Sequence, residues 1–107
     1  MKHLSATELA QRLANDAQAK PFLLDVREPR EFQTCHIEGS TLMPMNIVPA
    51  RQQELDPEME IICICHHGSR SMAVASFLER NGFSNVSNLT GGVHAWASQV
   101  DRNMPTY

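Results

Sequence analysis

Glu60-Ile61-Ile62-Cys63-Ile64-Cys65-His66-His67-Gly68-Ser69-Arg70-Ser71-Met72-Ala73-Val74-Ala75-Ser76-Phe77-Leu78-Glu79-Arg80-Asn81-Gly82 changes its periodicity once, and that change decides the fold. Ile61 to Ile64 is an unbroken apolar run rich in β-branched residues, which reads as a strand buried on both faces inside a parallel sheet. From Met72 the apolar residues Ala73, Val74, Phe77 and Leu78 recur at helical spacing, with Glu79 and Arg80 on another face. Asn81-Gly82 ends the helix, Gly82 taking the left-handed conformation and Phe83 folding back towards Leu78. Strand, loop and helix in this order are one half of a parallel α/β unit. In open α/β sheets the chemistry lies at the carboxyl ends of the strands, where Cys65 stands.

The loop Cys65 to Arg70 has a physical logic. A strand that turns directly into a helix leaves several backbone N–H groups facing one small bowl at the positive end of the helix dipole. That bowl stabilises an anion or a thiolate, and Cys65 sits at its base. Gly68 permits tight curvature. Arg70 brings a permanent charge in a planar fork suited to oxyanions, and His66 and His67 can add positive charge near neutral pH.

Working outward, Leu4-Ser5-Ala6-Thr7-Glu8-Leu9 holds a helix start: Ser5 caps, Glu8 completes a capping box, and Leu4 staples against Leu9. The apolar stripe runs to about Gln18. Pro21 to Val26 is a second buried strand. Asp25 and Arg27 flank Val26 and point the same way if the strand continues. Glu31 stands four residues beyond Arg27, so Asp25, Arg27 and Glu31 read as an ion-pair network bracing the loop, with Glu31 as a partner for Arg27. Glu28 to Thr34 is a short helix with Pro29 in its first turn. Ser40 to Met43 is a short strand, Met45 to Leu55 a loop with a weak helix, and Asn85 to Leu89 the last strand. Thr90-Gly91-Gly92 makes a sharp turn into a helix from Val93 to Gln99, anchored by Trp96. The tail from Val100 to Tyr107 packs on the surface or frays.

Composition sets the limits. One hundred and seven residues make one domain with a single core, residues 1–107. A hydrophobic fraction of 42% and a charged fraction of 20% are ordinary for a soluble globular chain. A net charge of −3 with scattered basic residues argues against a nucleic-acid partner. No apolar stretch reaches membrane-spanning length, and the polar start is unlike a secretory signal. Three cysteines, an odd number, point to a reducing compartment, so a cytoplasmic location is expected.

Three segments in order carry a resemblance: Leu24-Asp25-Val26-Arg27-Glu28-Pro29-Arg30-Glu31-Phe32 with His36-Ile37-Glu38-Gly39, the loop from Cys65, and Asn88-Leu89-Thr90-Gly91-Gly92-Val93-His94-Ala95-Trp96. Together they resemble the rhodanese family of sulfurtransferases. The resemblance implies a three-layer α/β fold with a central, mostly parallel five-stranded sheet flanked by helices. It implies a persulfide on Cys65, formed from a small anionic donor such as thiosulfate and passed to cyanide, a thiol or a protein acceptor. His66, His67, Gly68, Ser69, Arg70 and Ser71 would form the persulfide-binding loop, with Arg70 orienting the donor and the Ser69 or Ser71 hydroxyl on the sulfur. Asp25, Arg27 and Glu31 would be structural support. No metal or dissociable cofactor is implied, and the chain is expected as a monomer or weak homodimer. Cys35 stands where the family usually has glycine, so a positive φ there would carry strain. His36 is read as a structural hydrogen-bonding residue.

Three other readings remain open: a non-catalytic sulfur carrier or binding module, a cysteine-dependent phosphatase, and a metal site built from Cys63, Cys65, His66 and His67. The Cys65–Arg70 spacing is one residue shorter than in related phosphatase loops, and adjacent histidines are awkward joint ligands.

Overall fold

The computed structural model describes all residues from Met1 to Tyr107. The elements follow as β1 (Lys2–Leu4), α1 (Ala6–Ala14), β2 (Phe22–Asp25), α2 (Pro29–Thr34), β3 (Thr41–Leu42), α3 (Val48–Arg51), β4 (Ile61–Ile64), α4 (Ser69–Arg80), β5 (Val86–Leu89) and α5 (Gly92–Gln99), with 3-10 turns on either side of α3. The five strands form one sheet in the order β1-β5-β4-β2-β3, and every neighbouring pair is parallel. The chain thus has the α/β architecture expected, with a sheet that is parallel throughout.

Alternation along β4 builds the three layers. Ile61 and Cys63 join Leu24 of β2, Val86 of β5 and Val74, Ala75 and Leu78 of α4 in one apolar cluster. Ile62 and Ile64 join Leu23, Leu89, Ala6 and Leu9 of α1 and Val93 and Trp96 of α5 in the other. Both faces of β4 are therefore buried, which is why its sequence is a continuous apolar run. Burying each such side chain contributes about 1.5–3 kcal/mol, enough to hold the carboxyl end of β4 in place.

Local signals read from the sequence have structural counterparts. Ser5 accepts from the Glu8 N–H and Glu8 accepts from the Ser5 N–H, the reciprocal capping box. Gly82 has φ +92° and the Phe83 N–H donates to Leu78 O at 3.1 Å, closing α4. His36 Nδ1 pairs with Phe32 O at 2.8 Å, a structural contact.

Other boundaries moved. The sequence reading assigns Lys2 and His3 to no element and Leu4 only to the staple, yet Lys2 to Leu4 pair with Ser87 to Leu89 as an edge strand, β1. α1 stops at Ala14 rather than near Gln18, because Asn15 caps it in an extended conformation. β3 holds two residues, and α4 begins three residues earlier than the apolar spacing indicates, since its first turn serves the loop rather than the core. Cys35 carries no strain. Its φ is −165°, extended backbone that any residue adopts, so the position does not require glycine and cysteine is accommodated.

Candidate active site

Cys65 directly follows β4 and is 1% exposed. Gly68, at φ +114°, turns the chain into α4, and its N–H donates to Cys65 Sγ at 3.1 Å. The Ser71 hydroxyl lies 3.3 Å from the same sulfur and 2.5 Å from Asn88 Oδ1. The Asn88 amide nitrogen donates to Gly68 O at 3.1 Å, which turns its oxygen towards Ser71. One hydroxyl proton thus serves two acceptors. Donation to a Cys65 thiolate competes with donation to Asn88, so the thiolate is supported without a fixed, saturated bond. Ser69 is exposed, so of the two serines considered it is Ser71 that reaches the sulfur.

The start of α5 holds the loop from outside. The Val93 N–H donates to Cys65 O at 2.9 Å and the His94 N–H to His66 O at 3.0 Å. Gly92 makes this approach possible: a Cβ there would lie 2.3 Å from Cys65 O and 2.4 Å from His66 O.

Arg70 and Glu31 form a bidentate pair, Nη1 to Oε1 at 2.8 Å and Nη2 to Oε2 at 3.0 Å. This corrects the expected pairing of Glu31 with Arg27, which reaches only the Glu31 main-chain oxygen, at 3.3 Å. It also places a competitor at Arg70, whose fork was expected to orient the donor. Arg27 is fully buried beside Asp25, donating from Nε at 2.9 Å and from Nη2 at 2.7 Å, and it also donates to Cys35 O at 2.7 Å. Tyr107 joins the two ion pairs: Arg27 Nη1 donates to its hydroxyl at 2.9 Å, and that hydroxyl donates to Glu31 Oε2 at 2.7 Å. Its ring stacks on His66 with centroids 4.0 Å apart. The tail therefore docks on the site rather than fraying.

The electrostatics follow from these contacts. The Arg70 hydrogen bonds hold the Glu31 carboxyl well below the usual carboxylate range, and Glu31 in turn raises Arg70. Burial works against the Arg27 charge, but Asp25 and Tyr107 more than offset it and the guanidinium stays firmly protonated. Burial raises the Tyr107 phenol to about 12. Burial and then His67 lower His66, so it contributes less positive charge than expected of a free imidazole. Cys63 is fully buried in the core, where it packs with Leu24, Val74 and Val86, and burial pushes its thiol up to about 12. The histidines that do come together are His66, His67 and His94.

Because the folded Glu31 value lies below the unfolded one, its stabilisation is present above about pH 4.3 and fades as pH falls towards the folded value. Wild type should therefore lose more stability than Glu31→Gln on going from about pH 5 to about pH 3. Urea midpoints of both proteins at the two pH values measure this, and equal losses would remove Glu31 as the responsible group.

Asn88, His94 and Tyr107 were missed as site residues. Asn88 had a signal, a polar residue inside a four-residue strand that is buried throughout. The largest groove, about 780 Å³, lies between Leu13, Lys20, Ile37, Trp96 and Met104 and includes no residue from 65 to 71. The space beneath Tyr107, between Cys35 and His66, is about 10 Å³, roughly one water. No helix is long and apolar enough to cross a membrane.

Comparisons with known proteins agree with this geometry. A sulfurtransferase of Allochromatium vinosum is 31% identical over 97 residues, covering 91% of this chain and 89% of that protein. Rhodanese-like/PpiC domain-containing protein 12, chloroplastic, of Arabidopsis thaliana is 38% identical over 89 residues; the match covers 79% of this chain but only 30% of that protein's length. The crystal structure of a rhodanese-like domain protein from Staphylococcus aureus superposes with a TM-score of 0.83 at 30% identity, covering 90% of this chain and 91% of that one. The family model described as Rhodanese-like domain matches residues 5–99, from the α1 cap to the end of α5, and with that span the chain belongs to the rhodanese-like domain family.

Proposed function

We propose that this chain moves sulfane sulfur through a persulfide on Cys65. The observation that carries this reading is the pair of donors on one sulfur, the Gly68 N–H at 3.1 Å and the Ser71 hydroxyl at 3.3 Å, at the carboxyl end of a buried strand. Sulfur transfer in general has the support of the family and of the sulfurtransferase relative; the donor, the acceptor and the intermediate are the proposal.

In the first step the Cys65 thiolate attacks the outer sulfur of a donor such as thiosulfate. A bond forms between the two sulfurs, the donor S–S bond breaks, and sulfite leaves with the electron pair. In the second step cyanide or a thiolate attacks the outer sulfur of the persulfide and the Cys65 thiolate leaves. Covalent catalysis in two displacements gives ping-pong kinetics. The Cys65 sulfur is the attacking thiolate in the first step and the leaving thiolate in the second, and the Gly68 and Ser71 donors face it each time. Because Glu31 occupies the Arg70 fork, the loop N–H groups are the first recognition element for an anionic donor. The phosphatase reading gains nothing from this arrangement, since its arginine must be free for phosphate oxygens.

Intact mass before and after thiosulfate, and again after cyanide, tests the reading. Wild type should gain one sulfur, located on Cys65 rather than Cys35 or Cys63 by peptide mapping, and lose it to cyanide. Cys65→Ser should gain none. Loading of that variant, or sulfur mapped to another cysteine, would sink the assignment. Loading without turnover would favour a sulfur carrier.

A further inference from the structure

The rim of the loop carries a group of side chains to which the two displacement steps above assign no role. Ring nitrogens of His66, His67 and His94 lie within 4.8 Å of one another. Two of the rings leave the loop after β4 and the third leaves the first turn of α5. The backbone sets their spacing, because the His94 N–H donates to His66 O at 3.0 Å. The ring centroids of His66 and His67 are 4.0 Å apart, and those of His67 and His94 are 4.9 Å apart. His67 and His94 are exposed, so the locus is open to solvent.

None of the three rings is held by a hydrogen bond to another residue, unlike His36, whose Nδ1 is engaged by Phe32 O. A tetrahedral zinc ion with Zn–N bonds of about 2.0–2.1 Å places its ligand nitrogens about 3.4 Å apart. Closing from 4.8 Å to that separation breaks no side-chain hydrogen bond, and two of the three rings, His67 and His94, are exposed. Imidazole is the ligand type that suits zinc, copper and nickel.

We propose that His66, His67 and His94 form a site for a borderline divalent cation such as Zn²⁺, completed by water, at the rim of the Cys65 loop. The ion would tie the loop to α5. Tight histidine sites orient their rings through second hydrogen bonds to carboxylates or carbonyls, and these rings have none, so the ion exchanges freely rather than serving as a structural metal. The site is not the cysteine-containing one considered from the sequence, and it stands whether or not Cys65 carries a persulfide.

Calorimetric titration of the full chain, free of any polyhistidine tag, with zinc chloride at neutral pH provides the test. One equivalent of Zn²⁺ should bind. Affinity should fall at least about tenfold in His94→Ala, as loss of a ligand must cost no less than the ~10–100-fold of losing an outer partner. It should be unchanged in His3→Ala and in Cys65→Ser. Absence of saturable binding, equal affinity in His94→Ala, or loss of binding in Cys65→Ser would each overturn the proposal. Imidazole proton resonances of wild type give a reading that needs no variant. Of the five histidines, His66, His67 and His94 should shift with zinc while His3 and His36 stay put, and a stationary His94 refutes the site.

Discussion

Gly92→Ala should lower stability by about 4 kcal/mol or more and abolish sulfur loading. Two costs combine at this position. The φ of +56° disfavours any Cβ, at about 1–2 kcal/mol. The Cβ would also lie 2.3 Å from Cys65 O, 2.4 Å from His66 O and 2.6 Å from His66 C, all backbone atoms with no rotamer to yield. Either α5 retreats, breaking the Val93 and His94 hydrogen bonds to the loop, or the loop itself shifts and carries Cys65 with it. At about 4–8 °C per kcal/mol for a domain of this size, the melting temperature should fall by roughly 16 °C or more. Gly82→Ala is the matched control. Its φ is +92° but no atom lies within 4 Å of the added Cβ, so it should show the conformational cost alone and keep sulfur loading. Thermal melts and intact mass after thiosulfate measure both variants. Equal costs would mean that backbone conformation, not the approach to Cys65, demands glycine at 92.

Arg27→Met should cost about 3–5 kcal/mol, because it leaves the fully buried Asp25 carboxylate without its cation. Methionine approximates the volume, so packing loss adds little. Converting the pair to apolar residues, Asp25→Leu with Arg27→Met, should recover part of the loss, since the uncompensated charge is then gone. Recovery should be incomplete: Arg27 also donates to Cys35 O and to the Tyr107 hydroxyl, and those acceptors stay unserved. Urea unfolding of the two variants separates these contributions. A cost under about 1 kcal/mol for Arg27→Met would show that the pair is not held as buried as its geometry indicates.

The central unit from β4 to α4 was legible because two different periods meet there and each is expressed at full length. Cys65, Gly68 and Ser71 could be placed for the same reason. The edge strand β1 was not, since Lys2 and His3 are exposed and only pairing with β5 makes them a strand. Spacing misled at Glu31. The i, i+4 relation brings side chains together on a helix, but Arg27 lies before α2 begins, so its carboxylate partner is Asp25. The true partner of Glu31 is Arg70, 39 positions away, and no local pattern links them. Tyr107, 76 positions from Glu31, is tied to it only by the folded chain.

The pairing of Lys2 with Ser87 bears on how the chain matures during synthesis. Of the five strands, β1 is made first and cannot find its sheet position until β5, the last of them, has been translated. At about 5–20 residues per second, roughly 4–17 s separate the two, during which β1 lacks its partner. Parallel pairing over such sequence distances also slows folding, since loop closure precedes its reward. Exposed Lys2 and His3 suit a strand that must wait, being poor material for pairing with a neighbouring chain.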